Sequence, residues 1–156
     1  MEPRSGCPIN AAVEVLGDRW SLIVLRDIVF ADRRYFRALL TGSAEGIASN
    51  ILADRLVRLA EAGILTRGTA ARGQRARYSL TEAGIRTLPI IDALGTWGLD
   101  WRPGSTELRH RQQLMRDEGP AFLEELMDEL RVRHLGAPAK PHDGPGAFER
   151  LEAHSA

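Results

Sequence analysis

Gly46-Ile47-Ala48-Ser49-Asn50-Ile51-Leu52-Ala53-Asp54-Arg55-Leu56-Val57-Arg58-Leu59-Ala60-Glu61-Ala62-Gly63-Ile64-Leu65-Thr66-Arg67 is the segment around which the rest of the chain is arranged. Ile51, Leu52, Leu56 and Leu59 recur at helical spacing and form one apolar stripe, while Ser49, Asn50, Ala53, Asp54 and Arg55 fall elsewhere on the turn. One face is therefore core. The other opens with short polar side chains at its amino end, the place from which a helix lying in a DNA major groove reaches base edges. Gly63 stops the helix where a left-handed residue costs least, and Ile64-Leu65 reads as a short strand. Helix, glycine stop and strand, in that order, lead into the hairpin of a winged helix-turn-helix module.

Composition sets the frame around this segment. The 156 residues are 44% apolar and 27% charged, which suits one globular domain with an appendage. The formal charge of zero hides an asymmetry: residues 1–102 hold 14 arginines against 11 acids, and residues 103–156 hold 7 basic residues against 10 acids. Within residues 48–80 six arginines face only Asp54 and Glu61, so the local basic excess coincides with the candidate DNA-reading segment. No run is long enough to span a bilayer, and the opening Met1-Glu2-Pro3-Arg4-Ser5-Gly6 lacks the apolar core of a secretory signal, which points to the cytoplasm. The single cysteine, Cys7, excludes an intramolecular disulfide framework and a cysteine-based zinc site. His110, His134, His142 and His154 have no metal-ligand spacing and read as surface residues, so neither a metal nor a cofactor is expected.

Taken in order, Pro8 favours an extended approach and Asn10 caps a short helix through Leu16. Asp18 is a good N-cap for a second helix over Trp20–Phe30, whose Trp20, Ile23, Val24, Ile28 and Val29 are mostly core. A third, supporting helix follows around Tyr35–Leu40; Arg33 and Arg34 at its amino end either hold a DNA phosphate or belong to a solvated turn. After the recognition helix, Tyr78 and Leu80 alternate as a half-buried strand does, giving a hairpin whose glycine-bearing tip carries Arg72 and Arg75, with Arg77 beside the returning strand. Arginines on such a wing reach phosphates or an adjacent minor groove.

Thr81-Glu82 starts a long apolar helix to about Trp101, with Pro89 predicting a bend near Arg86–Leu88. Ile90, Ile91, Leu94, Trp97 and Trp101 give it more apolar surface than a small winged domain covers; a second subunit, the C-terminal segment, or both would cover it. Pro103-Gly104-Ser105-Thr106 breaks the chain, Glu107–Arg116 and Pro120–Leu135 read as helices, and 136–156 reads as a flexible tail with Phe148 and Leu151 as its anchors. The expected organisation is a DNA-binding and dimerisation domain over 1–102, a helical extension over 103–135 and the tail.

Cys7-Pro8-Ile9, Gly17-Asp18-Arg19-Trp20, Arg33-Arg34-Tyr35, Gly46 through Leu56, Glu61-Ala62-Gly63-Ile64-Leu65 and Tyr78-Ser79-Leu80-Thr81-Glu82-Ala83-Gly84 together resemble the HxlR-type family of bacterial transcriptional regulators, over about residues 6–101. The resemblance implies a mainly α fold with a small β-hairpin, a winged helix-turn-helix homodimer on a pseudo-palindromic operator of double-stranded DNA, and a bacterial cytoplasmic setting. The expected output is repression, with room for a small-molecule effector. Some members use a cysteine at the position of Cys7 to sense oxidants or electrophiles, so a thiol-based sensor with DNA binding as its output is the alternative. The base-reading candidates are Ser49 and Asn50, with Asp54 and Arg55 on the same helix; Arg33, Arg34, Arg72, Arg75 and Arg77 are the anchoring candidates. An enzyme is not expected: no nucleophile has a base partner in sequence context and no glycine loop matches a phosphate cradle. A winged helix serving only protein partners would carry a neutral wing.

Overall fold

A computed structural model describes residues 4–154 of the chain. It divides into two compact units, Met1–Gly84 and Ile85–Ala156.

The first unit holds α1 (Pro8–Leu16), α2 (Arg19–Ala31), α3 (Phe36–Gly42), α4 (Ser49–Glu61) and the antiparallel pair β1 (Leu65–Arg67) and β2 (Tyr78–Leu80). Pro8 at the first position of α1 needs no N–H there, so the helix begins at Pro8 behind Cys7 instead of at Asn10. Asp18 caps α2 as expected: its carboxylate accepts from the Trp20 and Ser21 amides, both at 3.0 Å. Val24, Leu25, Ile28 and Val29 of α2 are buried with Leu39 of α3 and Leu52, Leu56 and Leu59 of α4, so the apolar stripe of α4 forms the core of the unit. Gly63 follows α4 at a φ of 73°, and Leu65 pairs with Leu80, Thr66 with Ser79 and Arg67 with Tyr78 across the hairpin.

Arg34 sets the hairpin against α3. The Tyr78 amide donates to the Arg34 carbonyl at 2.7 Å, and the Arg34 Nε donates back to the Tyr78 carbonyl at 3.0 Å. A second guanidinium nitrogen donates to Ser79 Oγ, and Tyr35 forms a β-bridge with Arg77. The side chain is 4% exposed, so Arg34 does not meet a phosphate as the sequence allowed; its fork is spent on strand β2. Arg33 is likewise turned inward, onto the buried Asp27 at 3.0 Å, a carboxylate that also takes Arg26 at 2.8 Å. Arg26 extends the network to Glu45 at 2.6 Å, and this hydrogen bond holds the Glu45 carboxyl below its ordinary range.

The second unit holds α6 (Leu88–Trp101), α7 (Thr106–Glu118), α8 (Pro120–Leu135) and α9 (Ala147–Ala153), after α5 (Glu82–Ile85) has spanned the boundary. Pro89 does not bend one long helix. It sits in the first turn of α6, where its missing N–H leaves no bond unmade, and the chain breaks between α5 and α6. Within this unit α6 packs with α7 and α8. α7 meets α6 through polar groups, Gln112 Nε2 to Asp92 Oδ1 at 2.8 Å, Arg109 to the Leu99 carbonyl at 2.7 Å and Arg116 to Asp100 at 2.7 Å. The apolar face of α6 stays open: Ile90 and Leu94 are exposed, Trp97 and Trp101 are 53% and 67% exposed, and Ile91 is half-buried.

The expected tail is partly a packed helix. Phe148 and Leu151 of α9, three positions apart on one face, are buried with Phe122, Leu126, Met127 and Leu130 of α8. Glu129 caps α9 by accepting from the Ala147 and Phe148 amides at 2.5 and 3.3 Å, and Arg133 lies 4.2 Å above the Phe148 ring. A helix of 7 residues behind a Pro- and Gly-rich linker leaves a faint signal in sequence, because composition averages over the linker.

Two outcomes follow from these interactions. Arg34→Ala removes a buried donor fork from Tyr78 and Ser79 and should cost about 1–3 kcal/mol in urea unfolding; unchanged stability would contradict the structural role. For Asp18, burial raises the carboxyl's pKa, but the Ser21 hydrogen bonds, the Arg55 charge and the Trp20 amide outweigh it and hold the group below its ordinary range. A lowered carboxyl stabilises the fold above its unfolded-state pKa and loses that contribution as pH falls through the folded value. Asp18→Asn should therefore trail the wild type in thermal midpoint at neutral pH, with the gap closing in acid; a gap that widens in acid would reverse the sign.

Candidate nucleic-acid interface

α4 presents Ser49, Asn50, Ala53, Asp54, Val57 and Arg58 to solvent, a continuous strip at helical spacing opposite Leu52, Leu56 and Leu59. Ser49 and Asn50 stand in its first turn. No side chain caps that end, where Ala48 is the N-cap, so the first amides of α4 point outward without a side-chain acceptor. The amino end of the helix is thus both polar and weakly positive.

Asp54 and Arg55 divide in role. Arg55 is not on the outward strip: its Nε meets Asp18 at 2.9 Å and its Nη1 meets Asp54 at 2.6 Å, with the side chain 19% exposed. It ties α4 to the cap of α2. Asp54 stays exposed and takes Arg58 Nε at 3.0 Å as well. Arg55 therefore pairs α4 with the cap of α2, while Asp54 is the carboxylate on the strip.

The wing differs in its electrostatics. Arg72, Arg75 and Arg77 are exposed, and among the described residues none of them forms a salt bridge. Arg37 of α3 and Arg67 at the end of β1 are equally exposed and unpaired, and neither stood out in the sequence. Burial, and after it the neighbouring charge of Arg77, pull the Arg34 guanidinium below its ordinary value. Of the arginines expected to act as anchors, the structure thus leaves Arg72, Arg75 and Arg77 available and engages Arg33 and Arg34 internally.

Val57 and Arg58 were also missed, although they lie two turns beyond Ser49 and Asn50 at steps of four residues, a spacing legible in the sequence. Val57 is 57% exposed in the middle of an otherwise polar strip. Cys7 is exposed at the amino end of α1, with its amide on Ser5 Oγ. No group of histidine, cysteine or acidic side chains among the described residues could hold a metal ion, and no described helix is long and apolar enough to cross a membrane.

This geometry has relatives. The HxlR-like helix-turn-helix family matches residues 15–106. An uncharacterized HTH-type transcriptional regulator of Mycobacterium tuberculosis is 29% identical over 151 residues, 94% of this chain and 91% of that protein. Another, from Synechocystis, is 33% identical over 96 residues, 61% of this chain and 70% of that one. The reduced form of the transcriptional regulator YodB from Bacillus subtilis superimposes with a TM-score of 0.51 at 26% identity, covering 65% of this chain and all (100%) of that one. An exposed polar helix face, a hairpin with free arginines and a family match over most of the first unit agree: the chain belongs to the HxlR-like helix-turn-helix family and is a DNA-binding transcriptional regulator, not an enzyme.

Proposed function

We propose that the protein acts in the cytoplasm as a homodimeric repressor on a pseudo-palindromic operator, with α4 reading bases in the major groove and the wing anchoring the flanking backbone. The observation behind this reading is the contrast within one unit between the outward strip of α4 and the unpaired arginines of the wing. Asn50 offers a donor and an acceptor side by side, matching adenine N6 and N7, and Ser49 beside it pairs with several base edges. Val57 suits contact with a thymine methyl, and Asp54 suits a cytosine amino group. Arg72, Arg75 and Arg77 supply charge without a fixed edge pattern, which suits phosphates or a narrow minor groove.

Homodimerisation is supported by apolar surface left open in each unit. Ile9 and Val13 project from α1, and Ile90, Leu94, Trp97 and Trp101 project from α6. Large aromatic side chains on one open helix face exceed the scattered exposure of ordinary surfaces, and a two-fold related copy covers such a face with itself. A dimer of this kind sets two recognition helices roughly 34 Å apart, one turn of DNA.

Asn50→Ala should weaken binding to the selected operator by about 1–3 kcal/mol and relax preference at one base pair per half-site. Arg75→Ala should lower affinity for operator and scrambled duplex alike and flatten the salt dependence by roughly one unit for each phosphate that a subunit no longer neutralises. Fluorescence titrations at several salt concentrations separate the two, and intact sequence preference in Asn50→Ala would remove that residue from base reading. In sedimentation at micromolar concentration the wild type should run as a dimer, and Trp97→Glu with Trp101→Glu should shift it to monomer. A wild-type monomer that still fills both half-sites without cooperativity would contradict the assembly.

A further inference from the structure

Between the start of α3 and the foot of the wing lies a hollow of about 310 Å³, lined by Phe36, Arg37, Arg67, Arg75, Ala76 and Tyr78. Its residues come from α3, the end of β1 and the return into β2, segments held together by the hydrogen bonds of Arg34. Three of the six are arginines without a salt bridge among the described residues, and the other three are apolar or aromatic. Three guanidinium charges around one concavity repel each other, and an anion placed among them relieves that repulsion. Phe36 and Tyr78 add flat apolar surface, which a simple anion does not use.

The size is at the low end of small-molecule sites, roughly 300–1,000 Å³. A planar ring with a carboxylate matches both halves of the lining: the ring covers Phe36, Ala76 and Tyr78, and the carboxylate takes a guanidinium fork. A DNA phosphate would satisfy the arginines but not the aromatic floor. We propose that this hollow binds a small aromatic carboxylate, and that the bound acid opposes DNA binding by drawing Arg75 away from the backbone. The second half rests on the reading of Arg75 as a DNA anchor; the first half does not.

Calorimetric titration of the full chain with benzoate, benzamide and acetate tests the site without DNA. Benzoate should bind once per chain, and neutral benzamide and ringless acetate should give no saturable heat. Arg37→Gln and, separately, Arg67→Gln should each weaken benzoate about tenfold, the loss of one charged hydrogen-bond partner, while melting like the wild type. Saturating benzoate at constant ionic strength should then raise the apparent Kd for operator DNA in the wild type and leave Arg37→Gln unaffected. No saturable benzoate binding, equal binding of acetate, or binding untouched in both variants would overturn the site. Loss of DNA affinity in Arg37→Gln without benzoate binding would make the hollow a phosphate site and equally overturn it. Benzoate binding that leaves operator affinity unchanged would overturn the regulatory half. A chain that binds benzoate as expected and no DNA at all would instead remove the DNA reading of Arg75.

Discussion

One buried charge, the guanidinium of Arg34, holds the first unit in its working shape. A charge that is 4% exposed is tolerable only where its donors are met, and here they are met by the backbone and side chain of β2. The wing consists of two strands of three residues joined by a long loop, too little to hold its own position. Arg34 and the Tyr35–Arg77 bridge supply what the strands lack, and the loop's arginines are displayed from a fixed base. Arg55 does the equivalent for α4. By reaching Asp18, it couples the helix that faces outward to the cap of α2 in the core.

Nine of the arginines in this unit fall into two groups by what they touch. Arg26, Arg33, Arg34 and Arg55 are absorbed by carboxylates or carbonyls of the fold. Arg37, Arg67, Arg72, Arg75 and Arg77 keep their charge uncompensated and stand around the hairpin. Only the second group contributes a field that an anionic partner feels at a distance, because a neutralised pair at the surface is screened within a Debye length. Net charge conceals this, since the chain sums to zero while these five arginines stand around the hairpin without a carboxylate partner.

Periodicity made much of this legible in the amino-acid sequence. The stripe of α4, the stop at Gly63, the cap at Asp18 and the strand around Tyr78 are local signals, each set by residues within one or two turns, and each stands where the sequence places it. Arg33 and Arg34 were not legible in the same way, because whether a guanidinium faces solvent or the fold depends on partners 6 and 44 residues away. Pro89 misled for a different reason. Proline inside an apolar run predicts distortion, yet it cannot say whether the helix bends or restarts; here it restarts, with Pro89 in the first turn, where its missing N–H is no helix donor. α9 was hidden by its linker, since two apolar anchors spaced by three make a helix only when α8 is there to receive them.

If α4 reads bases while the wing holds the backbone beside them, the two elements should leave separate footprints in the two grooves. Methylation interference on duplexes selected by the protein from a random pool distinguishes them, since a methyl group on guanine N7 blocks the major groove and one on adenine N3 blocks the minor groove. Major-groove interference is expected in two clusters about 10 base pairs apart, centre to centre, with minor-groove interference outside each cluster. Binding that no base methylation disturbs, and that responds to salt alone, would contradict this division of labour.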